Sequence, residues 1–183
     1  LTPGFGMGNA TYYHLMDMPV EHRSSRFEEG IMLMKRLWTE GTVSFAGRVF
    51  NFEQVSCPEP ASKPHPPIFF GGHAPAALDR AVRLGDGWIG AAHSSTEQLE
   101  TEVQAVRDLI AEKERDPDTF ALGKREMIDV DTTREGAQRR LDANIGETGT
   151  SRGAEAVGVF GSVDDCIEGL SQIADTGVDL IIL

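Results

Sequence analysis

The sequence predicts an α/β fold built on parallel strands. In the middle of the chain, a short apolar run ends in Gly71-Gly72, a helix-compatible run begins near Pro75, and a second apolar run follows Gly87. This order of strand, glycine-rich turn, helix, turn and strand is typical of a parallel βαβ unit. Helix-like and strand-like segments continue to alternate to the last residue. The runs at 68–70 and 180–183 are wholly apolar, as in strands buried on both faces. The pattern alone leaves a barrel and an open sheet as alternatives.

The first forty residues predict one strong helix after an ambiguous start. Residues 1–9 alternate glycine with larger residues, which fits either a flexible start or the end of a buried strand opening toward a ligand. A helix is expected over residues 26–39, with Ser25 and Glu28 as a capping box. Its core stripe, at steps of three and four residues, is Phe27, Ile31, Met34 and Trp38.

A hairpin and a proline-rich connector are expected to follow. Residues 43–45 and 48–52 are strand-like and flank Ala46-Gly47. Residues 58–67 contain five of the nine prolines, which disfavours helix and strand. We interpret residues 42–67 as an insertion within one domain that covers residues 1–183.

The second half of the chain predicts three more helices and two strands. The first helix is capped at residues 94–96, with Leu99, Val103, Val106 and Ile110 on its buried face. A strand over 126–130, a helix over 135–145 and a mobile loop over 146–158 follow. Ser162 and Asp165 cap the last helix, whose expected core stripe is Val163, Ile167, Leu170 and Ala174. A buried strand at 180–183 ends the chain.

Composition excludes several classes of function. The chain has 17 Lys and Arg against 29 Asp and Glu, a formal charge of -12. Nucleic acids and anionic membranes require basic surfaces, so neither is an expected partner. No apolar run approaches 18 residues and no signal peptide is recognisable. Cys57 and Cys166 fit no metal or redox spacing, and the histidines form no metal-ligand pattern, so a cytoplasmic location is expected.

The glycine turn is the strongest candidate for chemistry. Glycine lets the backbone approach a ligand closely, and the free N–H groups at a helix start attract an anion. The alternative is a plain tight turn between strand and helix. His93, after the next strand, is a weak catalytic candidate because the ordinary pKa of histidine is near neutrality. A solvent-exposed histidine without a role is the alternative at this position.

An ordered set of motifs resembles the bacterial-luciferase-like monooxygenase family. The set comprises residues 22–38, Gly47-Arg48-Val49-Phe50, Pro67-Ile68-Phe69-Phe70-Gly71-Gly72, Leu84-Gly85-Asp86-Gly87-Trp88, Arg115-Asp116-Pro117, Gly161-Ser162 and residues 174–179. Together these cover nearly the whole chain, although each is weak alone. The resemblance implies a parallel (βα)8 TIM-type barrel of which only about the last five βα units are present.

The resemblance also implies missing parts. Residues 2–9 correspond to the family's fourth barrel strand and residues 180–183 to the eighth, so strands one to three have no counterpart. A barrel closes only with a consistent strand number. We therefore expect either a piece of a longer polypeptide, which the non-methionine start favours, or an incomplete barrel that covers its edges with another chain.

The resemblance implies a coenzyme site, with FMN or a deazaflavin coenzyme as the cofactor. Met7 and Gly8 occupy the places that pass beside the flavin ring. The phosphate would lie at Phe70, Gly71, Gly72, His73 and Ala74. The family commonly has small hydroxyl residues where this chain has His73 and Ala74, so a hydroxyl donor is lost.

The implied function is that of an oxidoreductase acting on a small organic substrate, either an FMN-dependent monooxygenase or a deazaflavin-dependent hydride-transfer enzyme. A flavin reductase that supplies reduced flavin and a homodimer are the implied partners. Two alternatives belong to other classes: a non-catalytic flavin-binding or self-associating barrel fragment, and an unrelated α/β scaffold whose glycine turn binds another phosphate ligand.

Overall fold

The computed structural model describes residues 2–147 and 153–183, which form two compact units, Leu1–Phe69 and Phe70–Leu183. Whether they belong to one domain, with residues 42–67 as an insertion, stays a prediction. Each unit is described by itself.

The first unit contains a long helix and an antiparallel hairpin. Its elements are β1 (Gly4–Phe5), α1 (Ala10–Leu15), α2 (Arg23–Glu40), β2 (Thr42–Ala46) and β3 (Asn51–Ser56). In the hairpin, Val43 pairs with Val55 and Phe45 pairs with Phe52. The predicted hairpin and the irregular proline-rich connector are confirmed, but the second hairpin strand lies at 51–56 and not at 48–52, because the turn includes residues 47–50. Helix α1 was not expected.

Helix α2 starts earlier than the sequence indicates, so the predicted capping box is wrong. Its N-cap is His22, which has a left-handed φ of 58°. The Arg26 N–H already donates to the His22 carbonyl oxygen at 2.8 Å, so the first turn closes before Ser25 could act as a cap. Of the predicted stripe, Ile31 is fully buried and the other three side chains are partly buried.

The second unit is a parallel sheet with helices between its strands. The order along the chain is β4 (Phe69–Gly71, which begins at the last residue of the first unit), α3 (Pro75–Leu84), β5 (Gly87–Gly90), α4 (Thr96–Glu112), β6 (Ala121–Arg125), β7 (Met127–Val130), α5 (Arg134–Glu147), α6 (Ala154–Val157), β8 (Gly158–Gly161), α7 (Val163–Asp175) and β9 (Leu180–Ile182). Strands β4, β5, β6 and β9 neighbour one another in that order.

Parallel register fixes which side chains share a face of this sheet. Trp88 pairs with Leu122 and Gly90 with Lys124, and Gly123 pairs with Leu180 on the next strand. Helix α4 covers the sheet with the predicted residues Leu99, Val103, Val106 and Ile110, all at most 5% exposed. The alternation of parallel strands and helices is as predicted.

Two predictions in the second unit are corrected, and one strand was not predicted. The strand predicted at 126–130 is β7, which starts one residue later, and the unpredicted strand β6 precedes it. Glu126 separates the two strands, and its N–H donates to the Ile182 carbonyl oxygen. The loop predicted over 146–158 contains α6 and leads into β8, which pairs in parallel with β7; residues 148–152 lie outside the described residues. The strand at 180–183 is only partly buried, with Ile182 40% exposed.

Helix α7 has the predicted capping box, in which Ser162 and Asp165 bond reciprocally, but not the predicted buried stripe. Val163 and Ile167 are 62% and 58% exposed. Gly169 lies so close to β8 that a Cβ there would come within 2.9 Å of Val159. The helix therefore packs through its glycine, and Cys166 and Ile173 are the buried side chains.

Candidate functional site at the glycine turn

The turn between β4 and α3 is an open backbone segment on a buried base. Phe70 is buried, whereas residues 71–76 are all exposed. Gly72 has a φ of +112°, and a Cβ there would lie 2.9 Å from the Ala77 Cβ. A side chain at residue 72 would therefore be both strained and crowded.

Trp88 supports this turn from below. Its side chain on β5 is fully buried, and its Nε1–H donates to the Gly72 carbonyl oxygen at 2.8 Å. At the far end of α3, Gly85 lies against the Phe70 ring, where a Cβ would approach to 2.6 Å. The turn thus rests on two buried aromatic side chains, which fixes its backbone without covering it.

The start of α3 faces outward from this turn. Ala74 is the N-cap in extended conformation and Pro75 occupies the first turn, which suits proline because that position needs no donor. The N–H groups of Ala77 and Leu78 both donate to the Ala74 carbonyl oxygen, at 2.7 and 3.1 Å. Within the described ranges, no side chain caps this helix start. The positive end of the helix dipole is therefore available to an anion.

Two histidines meet beside the turn. The His73 ring lies edge-on to the His93 ring, with centroids 6.3 Å apart and an interplanar angle of 87°. His73 belongs to the turn, and His93 follows β5 in the loop of residues 91–94. Both rings are exposed, so they border the open face of the turn. The structure thus brings the weak catalytic candidate together with the predicted phosphate residues.

Met7 and Gly8 lie in the first unit. The Ser24 hydroxyl donates to the Met7 sulfur at 3.6 Å. Gly8 is exposed with a φ of +64°, and a Cβ there would lie 3.9 Å from the Tyr13 ring. Their role beside a flavin ring stays a prediction, as do the roles of residues 70–74 and His93.

Sequence reasoning missed a buried polar cluster in the second unit. Lys124, Glu126, Glu102 and Ser94 are between 1% and 6% exposed. The Lys124 Nζ lies 3.5 Å from a Glu126 carboxylate oxygen and donates to the Ala91 carbonyl oxygen at 2.5 Å. Alternating Lys-Arg-Glu at 124–126 resembles a solvated strand edge, so the sequence contained no signal for this cluster.

A polar cavity of about 360 Å³ borders this cluster, since Ser94 and Glu126 line it, whereas the predicted turn residues do not. Its charged lining residues are Glu126, Arg134, Glu155, Asp165 and Glu168. Asp165 is already engaged by Ser162, and Arg134 contacts the Phe160 ring and Glu155. Glu168 accepts a hydrogen bond from the Gln172 side-chain amide at 3.5 Å. The charges on the α7 side and at Arg134 and Glu155 are therefore explained by contacts within the chain.

Residues 2–147 and 153–183 contain neither a metal cluster nor a membrane-spanning helix. No group of three or more His, Cys, Asp or Glu side chains there is placed to hold a metal ion. None of the helices in those ranges is both long and apolar enough to cross a membrane.

Comparison with known proteins identifies the family. The family model for luciferase-like monooxygenases matches residues 4–157. The FMNH2-dependent dimethylsulfone monooxygenase of Pseudomonas putida is 32% identical over 143 residues, which are 78% of this chain and 37% of that protein. The F420-dependent hydroxymycolic acid dehydrogenase of Mycobacterium tuberculosis is 36% identical over 70 residues, which are 38% of this chain and 19% of that protein.

The fold is also shared with solved structures. A monooxygenase from Streptomyces bottropensis superposes with a TM-score of 0.80 at 19% identity, over 100% of this chain and 60% of that one. The matched part of the chain spans little more than a third of the length of the dimethylsulfone monooxygenase. The predicted parallel barrel class is confirmed at the level of the fold, with a partial set of strands. By the family match over residues 4–157, the chain belongs to the luciferase-like monooxygenase family.

Proposed function

We propose that the glycine turn, residues 70–74, binds the phosphate of FMN or of a deazaflavin coenzyme, and that the protein is a coenzyme-dependent oxidoreductase. The observation that carries this proposal is the open turn itself, where exposed backbone meets an uncapped helix start and is held in place by Trp88. Relatives that depend on FMNH2 and on F420 support the coenzyme class.

The residues present fit a phosphate group. Gly71 has open space beside it, since the nearest atom to an added Cβ is the Ile89 carbonyl oxygen at 4.0 Å. The helix dipole attracts the charge. His73 replaces the hydroxyl residue common in the family and offers an imidazole N–H at the same edge. Backbone groups and one imidazole would therefore hold the phosphate.

The coenzyme would supply the redox chemistry, either oxygen activation by reduced flavin or hydride transfer by deazaflavin. This chain's residues would bind the phosphate and orient the coenzyme from the buried base formed by Trp88 and Phe70. His93, 6.3 Å from His73 between ring centroids, is placed to hold or move a proton at the edge of the site. A small organic molecule is the proposed substrate, and a flavin reductase and a second copy of the chain are the proposed partners.

A pair of glycine variants tests the phosphate site. Gly72→Ala and Gly161→Ala both add a Cβ at a positive φ, +112° and +130°, and both crowd a neighbour, at 2.9 and 2.6 Å. Their strain is therefore matched, but only Gly72 belongs to the turn. In a fluorescence titration with FMN and a deazaflavin coenzyme, we expect the Gly72 variant to bind roughly tenfold more weakly, the factor expected for one lost charge-assisted hydrogen bond.

The matched variant separates binding from stability. Gly161→Ala is expected to bind as the wild type does, even though its thermal stability falls. Equal affinities for all three proteins would contradict the assignment of the phosphate to this turn.

A further inference from the structure

Lys124 is a buried cation with a specific backbone partner. Its side chain on β6 is 1% exposed, and its Nζ donates to the Ala91 carbonyl oxygen at 2.5 Å. Ala91 begins the loop of residues 91–94, which carries His93 to the edge of the glycine turn. This hydrogen bond therefore ties β6 to the loop beside the candidate coenzyme site, and within the loop the Ser94 N–H donates to the same carbonyl oxygen at 3.1 Å.

A glycine on the neighbouring strand lies beside the lysine stem. Gly90 pairs with Lys124 in the parallel ladder and immediately precedes Ala91. A Cβ on Gly90 would lie 3.5 Å from the Lys124 Cδ and 3.1 Å from the Trp88 ring. The aliphatic stem of the lysine thus packs alongside Gly90, in a space bounded by the buried Trp88 and Leu99 side chains.

Two carboxylates accompany the lysine. Glu126 lies 3.5 Å from the Nζ, and one oxygen of the buried Glu102 has no hydrogen-bond partner among the described residues. Burial lowers the pKa of Lys124 and raises the pKa of Glu126, in each case against the attraction between the two groups. Both charged forms are thus costly in this environment.

Stability alone does not explain a lysine at this position. A buried ion pair contributes little net stability, and apolar side chains of similar volume often serve as well or better. A methionine would fill the same channel without desolvating a charge. What the lysine adds is a directional donor aimed at the Ala91 carbonyl oxygen.

We infer that Lys124 is a positioning residue for the loop of residues 91–94. Through this loop it holds the His93 ring against His73 at the glycine turn. This inference deepens the proposed function and rests on it for its consequence in coenzyme binding. Its structural content, the placement of His93, can be measured without any coenzyme.

The test compares Glu126→Gln with the double variant Lys124→Met/Glu126→Gln. The single variant keeps the donor to Ala91, whereas the double variant removes it together with the carboxylate that would otherwise lose its partner. This pairing limits uncompensated buried charge, and circular dichroism establishes that each variant folds. The readouts are the imidazole NMR signals of His73 and His93 in the coenzyme-free chain, assigned with His73→Gln and His93→Gln.

We expect the His73 and His93 signals to move in the double variant and to keep their wild-type positions in Glu126→Gln. Coenzyme dissociation constants are expected to rise about threefold to fivefold in the double variant. This is less than the factor for a charged hydrogen bond made directly to the coenzyme, because the effect of Lys124 is indirect. Signals of His14, His22 and His65, which belong to the first unit, serve as internal references.

Two results would overturn the inference. One is a folded double variant whose His93 signal is unchanged. The other is an equal shift in both variants, which would assign the effect to the ion pair and not to the Ala91 hydrogen bond. Failure of the wild-type chain to bind either coenzyme would contradict the proposed function, while the NMR comparison would still decide the role of Lys124.

Discussion

Two glycine-containing turns in this protein treat their backbone N–H groups in opposite ways. In the hairpin of the first unit, the N–H groups of Arg48, Val49 and Phe50 all donate to the Glu29 carboxylate, at 2.8, 2.9 and 3.1 Å. In the second unit, the turn at residues 71–76 is exposed, and no described side chain caps the helix that follows.

The difference teaches what an anion-binding turn requires. Several N–H groups that point to one place attract a negative charge. The hairpin turn contains its own anion, because Glu29 is placed on α2 opposite it, and a Cβ on Gly47 would come within 2.5 Å of that carboxylate. The α3 turn has no such partner among the described residues. The hairpin turn is therefore satisfied by its own carboxylate, and the glycine turn before α3 is suited to an external anion.

The largest expected effect comes from giving the open turn its own anion. In Ala74→Asp, an N-cap carboxylate would accept N–H groups at the start of α3 and stabilise the helix by about 0.5–2 kcal/mol. It would also repel a phosphate at the same place, which we expect to weaken FMN binding by roughly tenfold to a hundredfold. Thermal unfolding and FMN titration measure the two changes.

Ala74→Ser is the matched control for this substitution, because serine caps the helix without a charge. We expect it to stabilise α3 while it keeps most of the coenzyme affinity. If the aspartate variant binds FMN as tightly as the serine variant, the phosphate does not lie at this helix start.

The second prediction removes the support of the open turn. Trp88→Phe keeps most of the buried ring but deletes the Nε1 donor to the Gly72 carbonyl oxygen. We expect a loss of about 1–3 kcal/mol in the free energy of unfolding and weaker coenzyme binding. Chemical denaturation and titration give the two values. Trp38→Phe, in the first unit, is the control that should leave binding unchanged; an equal loss of affinity in both variants would argue against a specific support.

The third prediction removes the carboxylate from the hairpin turn. Both Glu29 carboxylate oxygens accept here, one from the Arg48 N–H and the other from the Val49 and Phe50 N–H groups. In Glu29→Gln, one oxygen becomes an NH2 group that cannot accept, and the remaining bonds lose their charge. We expect hydrogen exchange at Arg48, Val49 and Phe50 to accelerate by roughly tenfold or more. Glu53→Gln, on the exposed side of β3, should leave these rates as they are. Unchanged exchange in the Glu29 variant would show that the carboxylate does not hold this turn.

The smallest expected effect is the pH dependence of amide protection in the hairpin turn. Burial acts to raise the pKa of Glu29, but the three backbone donors outweigh it and hold the pKa below its ordinary value. A carboxyl group with a lowered pKa in the folded state stabilises the fold above its unfolded pKa, and this contribution is lost as pH falls through the folded pKa. Protection of the three amides should therefore persist as the pH falls to the ordinary pKa of a glutamate and be lost only at lower pH. Loss of protection at higher pH would contradict this assignment.

Local patterns predicted the centre of the chain well, and the reason is physical. Around the glycine turn, each element depends on neighbours in sequence. Pro75 favours a helix start and Gly72 permits a positive φ. The apolar runs on either side favour buried strands. The long stripe of α4 was equally unambiguous because four aliphatic side chains repeat at helical spacing over three turns.

The failures came from contacts between distant residues. The exposed Val163 and Ile167 were expected in the core because larger aliphatic side chains usually are buried. Instead, α7 packs on β8 through the face that contains Gly169, which lies close to Val159. The partners of Lys124 and Glu29 are set by sheet register and by the placement of α2, which no local window contains. The glycine turn of the candidate site could thus be predicted from the sequence, whereas the distant contacts around it could not.

The relative affinity of the chain for FMN and for riboflavin tests the central claim most directly, because the two ligands differ only in the phosphate. The open turn predicts that FMN binds at least about tenfold more tightly, with a dependence on salt that riboflavin lacks. A deazaflavin coenzyme and its phosphate-free deazaflavin core should differ in the same direction. Equal affinities within each pair, or no binding of FMN and of the deazaflavin coenzyme, would contradict the assignment of this turn as a coenzyme phosphate site.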